Sequence, residues 1–397
     1  MEHADILNKF RQVYDICIQK VDQQMLYLDK EHLYAFGKSK DGRYDQLEKG
    51  LHLSNMWNWT MSFSTGLAPL LYRTEKKTKY LNWANTFQKE YHDKIFYHAM
   101  ETMHDIGFLY SPYSVAMYQL TGDQHHKEDA LKAADELLKR FEINGRYIDA
   151  FRKMDEEAQT GRPIVDCMMN IQLLFWAWKE SGHTIYKEVA KAHADTICSY
   201  FIREDDTICH AFEFDKNSGK VIREAAGCGY GNGSYWARGT AWMIYGLAMT
   251  ARYLENEHYC ELAVRVLNKY LSSLDNSLVP IWDFRLPKDM PAFEFAHANN
   301  PEWDVTDVAN CKYNVDTSAA AIVACAMIEL DKFYGSNTYR ELVKDTLEEL
   351  CDTYFNRDAD VFGMLSHQNG EMVYAVYGDY YFLQALQQYL YDTDTCW

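Results

Sequence analysis

Two kinds of helical segment alternate along this chain, and that alternation limits its possible folds more than any other feature. Segments with apolar residues at helical spacing on one face fall at roughly 5–25, 79–95, 125–142, 184–201, 258–274 and 338–355. Each is followed by a segment that is apolar on nearly every side, at roughly 54–73, 107–121, 165–182, 235–254, 316–334 and 377–392. HYCELAVRVLNKYL is of the first kind and DTSAAAIVACAMIEL of the second. A helix that is apolar all round has to be buried all round. A unit of one such helix and one amphipathic partner cannot achieve this alone, so the units must stack. Six units are predicted to close into an all-α double ring, an (α/α)6 toroid, with the apolar helices inside. An open helical solenoid is the alternative, and the lack of polar capping repeats counts against it. No linker or composition shift divides the sequence, so residues 1–397 are expected to form one domain.

The connections predict where function sits. Short turns such as Thr121-Gly122-Asp123, Ser181-Gly182-His183 and Tyr334-Gly335-Ser336 lead from an inner helix to the next outer one, whereas the return connections near 26–53, 202–234 and 275–315 are long. Long loops and the N-termini of all six inner helices should therefore share one end of the ring. First turns at that mouth hold Trp59, Asp105 with Gly107, Asp166, Trp236 with Arg238, Asp316, and Gly378 with Asp379. Six positive helix ends facing one cavity favour a small carboxylated or phosphorylated ligand. The formal net charge of −18 argues against a nucleic-acid or anionic-membrane partner. It does not bar a small anion, because distant surface charge is screened beyond about 8–10 Å at physiological salt.

Asp166 stands at the leading edge of the apolar run in GRPIVDCMMNIQLLFWAWKESG. It reads either as an N-cap or as a functional carboxylate whose pKa burial would raise. Asp105, in His104-Asp105-Ile106-Gly107-Phe108, leads the preceding inner helix, so a closed ring makes the two carboxylates neighbours. Carboxylates held close do not both ionise easily, and one stays protonated as a general acid. His210 lies in an alternating stretch, Thr207 to Phe214, before a turn at Asp215 to Gly219 and a return through Lys220 to Ile222. This predicts a small β-hairpin in the loop before the fourth inner helix, with His210 on the face of Ile208, Phe212 and Phe214, either as a core residue or as a site residue. Arg238 opens the fourth inner helix, where a cation opposes the dipole unless an anion pairs with it. Asp166, Asp379 or a substrate would serve.

Other classes of chemistry lack support. There is no HExxH, no CxxC and no phosphate-binding GxxxxGK[ST], so no metal or cofactor is expected. The glycine run Gly227 to Gly233 does not sit in a βαβ unit and is not read as a dinucleotide loop. No apolar run reaches the roughly 18 residues of a membrane span, and the charged N-terminus reads as an amphipathic helix rather than a signal peptide. Ten scattered cysteines suggest reduced thiols in the cytoplasm. A monomer or weak homodimer is expected. Aromatic residues make up 15% of the chain, which suits sugar stacking and core packing alike.

At His104-Asp105-Ile106-Gly107-Phe108, Ile164-Val165-Asp166-Cys167, Trp236-Ala237-Arg238-Gly239 with Ala241-Trp242, Asp316-Thr317-Ser318-Ala319 and Gly378-Asp379-Tyr380-Tyr381, the chain resembles the unsaturated glucuronyl hydrolases of glycoside hydrolase family 88. The resemblance implies an (α/α)6 barrel and an oligosaccharide substrate ending in a 4,5-unsaturated uronic acid. It implies hydration of the C4=C5 enol ether in place of displacement at the anomeric carbon. Asp166 matches the family's acid/base, Asp105 its second essential carboxylate, and His210 and Arg238 residues lining the sugar site. Trp59, Trp242, Phe151, Cys228 and Tyr377 are expected to border the sugar. Three departures stand out. Gly227-Cys228-Gly229 replaces the usual His-Gln-Gly, Phe151 and Tyr377 stand where tryptophans are usual, and Ser366 to Gly370 lacks the lysine of sulfate-tolerant relatives. A rhamnogalacturonan-directed hydrolase, a sugar 2-epimerase or a non-catalytic sugar-binding protein on the same fold are the alternatives.

Overall fold

Six inner helices close a ring. The computed structural model describes residues 2–39, 42–50, 52–153, 158–225, 228–229, 233–285, 315–368 and 371–397. The inner helices are Met61–Thr65 continued by Leu67–Glu75, Ile106–Tyr110 continued through a π turn to Ala116–Thr121, Cys167–Asn170 continued by Gln172–Ser181, Ala237–Leu254, Thr317–Tyr334 and Val376–Tyr391. Each packs on the next in chain order, and Val376–Tyr391 packs back on Met61–Thr65, which closes the ring. The (α/α)6 toroid is therefore the fold, and the open solenoid is excluded. Outer helices are Glu2–Glu31, Thr78–Asn85 with Gln88–Tyr97, Gln124–Leu138, Thr184–Phe201, Glu257–Ser273, and Arg340–Glu349 with its terminal π turn. Their buried faces and the inner helices form one contiguous apolar cluster. No helix among the described residues is long and apolar enough to cross a membrane.

Close approach of the inner helices depends on missing side chains. A Cβ on Gly107 would lie 2.4 Å from the Cα of Asn170, so only glycine lets the second and third inner helices meet at the level of Asp105 and Asp166. The axis is filled by rings. Phe63, Phe108 and Tyr381 surround Trp397, which lies after the last inner helix and therefore enters from the end opposite the mouth.

The long connections carry more sheet than the one predicted hairpin. Among the described residues there are four small sheets. The predicted hairpin is Ala211–Asp215 paired with Val221–Ala225, extended by Thr160–Gly161. Its ladder starts at Ala211, one residue after His210, so the two-residue alternation does not set the histidine's direction.

Candidate active site

Backbone pairing ahead of the third inner helix assembles the site. Ile164 bridges Ala211, and the Val165 N–H donates to the His210 carbonyl at 2.9 Å. The hairpin is thereby fastened to the segment that leads into Asp166, and Nε2 of His210 comes to 3.3 Å from Oδ2 of Asp166. On the other ring nitrogen, Nδ1 accepts the Cys228 backbone N–H at 3.2 Å. That contact occupies the Nδ1 lone pair and leaves the proton on Nε2, facing the carboxylate. Burial disfavours a charged ring, while the Cys228 thiol and Asp166 pull the other way.

Asp105 has a different surrounding. Asn170, one turn into the third inner helix, accepts the Phe108 N–H at 2.7 Å and donates from Nδ2 to Oδ1 of Asp105 at 3.1 Å. His104 places Nε2 at 3.3 Å from the same oxygen. Burial, then the charge of Asp166, pushes the Asp105 carboxyl up to about 8, whereas burial holds the adjacent His104 neutral, down at about 3. Burial also acts on Asp166, but the Nε2 proton of His210 and the charge of Arg238 oppose it, and the carboxyl is held below its ordinary range. At neutral pH one carboxyl thus carries the proton and the other does not, as expected for a close pair. The proton resides on Asp105.

Neither aspartate caps its helix. Both occupy the N-cap position, and neither side chain accepts a cap hydrogen bond. The capping alternative for Asp166 and Asp105 is thereby removed. Arg238 is paired, but with neither expected aspartate: Nη1 donates to Oδ2 of Asp316 at 2.6 Å. Asp316 leads the fifth inner helix, the ring neighbour of the fourth. Asp379 is used elsewhere, accepting the N–H groups of Met364 and Leu365 at 2.8 and 2.9 Å and the Tyr44 hydroxyl.

Aromatic side chains surround these groups. Trp236 meets His210 edge-on at 5.1 Å, and the Arg238 guanidinium lies over Trp236 and Tyr377 at 4.7 and 5.0 Å. Tyr377 stacks on the half-buried Trp59 at 5.2 Å. Phe151, also half-buried, lies 6.2 Å from His104 and 6.3 Å from the exposed Trp57. Cys228 is exposed beside His210. Trp242 is not a rim residue: it is fully buried against Phe108 and Tyr381, one turn and a half further down its helix than Trp236. Gly227 and most of the glycine run lie outside the described residues, as do Asn369 and Gly370 of the segment after Ser366. Sequence reasoning passed over Asn170 and the second His–Asp contact at His104. Asn170 was legible as the residue one helical turn after Asp166 and a polar interruption in an apolar run.

The model of Glycosyl Hydrolase Family 88 matches residues 28–284. An unsaturated chondroitin disaccharide hydrolase of Streptococcus pneumoniae is 30% identical over 85% of this chain and 83% of its own length. An unsaturated glucuronyl hydrolase of a Bacillus species is 30% identical over 84% of this chain and 86% of its own. The crystal structure of the unsaturated glucuronyl hydrolase of Bacillus sp. GL1 superposes with a TM-score of 0.81 at 28% identity, covering 96% of each chain.

Proposed function

The chain belongs to glycosyl hydrolase family 88, and on that premise we propose that the Asp105–Asp166 pair hydrates the C4=C5 enol ether of a 4,5-unsaturated uronic acid at the non-reducing end of lyase-generated oligosaccharides. The observation that supports this most is the divergence of two neighbouring carboxyls, one raised to about 8 and one lowered. Such a pair holds one proton to give and one lone pair to receive.

The steps balance around that proton. A uronate entering the mouth adds negative charge and displaces water, and both favour the protonated form of the acid beside it. On binding, the proton that Asp105 holds at rest passes to Asp166, which faces His210 and delivers it to C4, and the ring oxygen stabilises the cation that develops at C5. Asp166, now carboxylate, takes a proton from the water that adds to C5. The hemiketal formed there opens and frees the neighbouring sugar. Asp105 holds the proton in the resting pair, and Asn170 and His104 hold Asp105. His210, kept as the Nε2–H tautomer, fixes the Asp166 carboxylate in direction. Arg238, Trp59, Tyr377 and Phe151 contribute the sugar-facing surface, with Cys228 at its edge. The whole chain acts as one catalytic domain in this reading.

His104 and His210 each stand against an aspartate, which is not the arrangement of two free histidines that a 2-epimerase requires. The nine described cysteines are all unpaired, which supports a reducing, cytoplasmic location. A monomer or weak homodimer suffices, because every residue invoked comes from one chain. A panel of lyase-generated disaccharides, followed through loss of the near-ultraviolet absorbance of the conjugated double bond, tests the reading. Turnover of at least one is expected, and no turnover of any would refute it.

A further inference from the structure

A cationic rim beside the site takes no part in these steps. Arg162, four residues before Asp166, places its guanidinium carbon 5.8 Å from the centre of the Phe151 ring. Phe151 in turn adjoins His104, which adjoins Asp105. Cys228, whose backbone N–H holds His210, is close enough to Arg162 to act on it electrostatically. The patch therefore borders the residues that surround both carboxylates, next to the place the unsaturated uronate takes in this reading.

The charge there is uncompensated among the described residues. Nε of Arg162 is buried without a hydrogen-bond partner. Glu213, the carboxylate that acts on it electrostatically, has its oxygens engaged by Arg223 at 2.8 and 3.2 Å. Arg152, next to Phe151, donates only to Thr160, at its carbonyl and hydroxyl oxygens. A chain with a formal charge of −18 has carboxylates to spare. Among the described residues neither guanidinium has a carboxylate in hydrogen-bond contact, which favours an anion that arrives from outside.

We infer that Arg162, with Arg152 behind it and Phe151 as its platform, forms a subsite for an anionic substituent, a sulfate ester or a carboxylate, on the sugar that follows the unsaturated uronate. A guanidinium fork matches either group with two parallel hydrogen bonds, and the phenyl face covers the apolar side of the sugar ring. The cation comes from the hairpin side of the mouth, whereas the Ser366 to Gly370 side has no lysine to offer. This subsite rests on the glycosidase reading above.

The test compares three unsaturated disaccharides: unsulfated chondroitin, its 6-sulfated form, and a diuronate released by a polyuronate lyase. The expected result is a higher kcat/KM on at least one anionic disaccharide than on the unsulfated one, with that ratio falling about tenfold or more in Arg162→Met. Whichever anionic substrate responds identifies sulfate or carboxylate as the ligand. Arg162→Gln serves the same comparison if the methionine variant does not fold. A wild-type enzyme without anionic preference, or a ratio unmoved by either variant, would overturn the subsite while leaving the glycosidase reading intact. A wild-type enzyme inert on all three would bring down both.

Discussion

Four inner helices carry an aspartate at the N-cap or, for Asp379, within the first turn, and two of these aspartates differ from the other two in what surrounds them. Asp316 accepts the Ala319 N–H at 3.1 Å, the Ser318 hydroxyl at 2.5 Å and Arg238 at 2.6 Å. Asp379 accepts two backbone N–H groups and a tyrosine hydroxyl. Their oxygens are spoken for by the protein. Asp166 has its Oδ2 buried against one histidine nitrogen at 3.3 Å, and Asp105 has a single amide donor and a histidine that does not share a charge with it. Standing at the start of an inner helix therefore does not mean equal role. An aspartate that stabilises the fold is saturated with donors, and one that handles a proton is left short of them.

The comparison breaks first at activity. Asp166→Asn should fold with a stability change of at most about 1 kcal/mol, since no cap bond is lost, and should lose about 10²–10⁴-fold in kcat/KM. Retained activity in a well-folded Asp166→Asn would place Asp166 with the structural pair. Asp316→Ala should behave in the opposite way, destabilising the protein by about 3–5 kcal/mol because it leaves the half-buried Arg238 unpaired. A denaturant midpoint that does not move would show that Arg238 finds another partner.

Asp105 sharpens the contrast through pH. Its carboxyl is raised in the folded protein, to about 8 from an ordinary value near 4. The folded state then binds a proton that the unfolded state has released, so its contribution to stability falls as pH rises through that window. Asp105→Asn should therefore gain stability over the wild type at pH 8 relative to pH 5, as read from thermal midpoints. Activity of the wild type should decline as pH passes about 8, when the pair loses its proton. A stability difference independent of pH would mean that Asp105 is ionised throughout.

The smallest expected effect lies at Cys228. A thiol is smaller than a glutamine side chain and a weaker hydrogen-bond partner. Cys228→Gln should improve kcat/KM on ordinary unsaturated chondroitin or hyaluronan disaccharides by an amount worth about 0.5–1.5 kcal/mol, and worsen it on the native substrate. Equal changes on every substrate would reduce Cys228 to packing, and the amide it donates to His210 would be its whole contribution.

Much of this molecule was legible because burial on all sides leaves a continuous apolar record. The inner helices Ala237–Leu254, Thr317–Tyr334 and Val376–Tyr391 fall within two residues of where periodicity puts them. The breaks at Gly66 and in the π turn Ser111–Val115 left no such trace, since they are local responses to packing. Adjacency of Asp105 and Asp166 followed from ring order alone. The same rule, applied to Arg238, points to Asp316 on the next helix rather than to Asp379 two helices on. Trp242 was misplaced because a tryptophan pointing at the axis reads the same in sequence whether it stands at the rim or below it. Arg162 gains meaning only through Phe151, a contact that no spacing in the sequence encodes.

The central claim is that the alkene, not the glycosidic carbon, is attacked. Matched aryl glucuronides, one saturated and one 4,5-unsaturated, compared in one assay that records both aryl release and near-ultraviolet absorbance, test it most directly. The account predicts aryl release from the unsaturated compound in step with loss of the alkene absorbance, and none above background from the saturated one. Comparable turnover of the saturated glucuronide would contradict it.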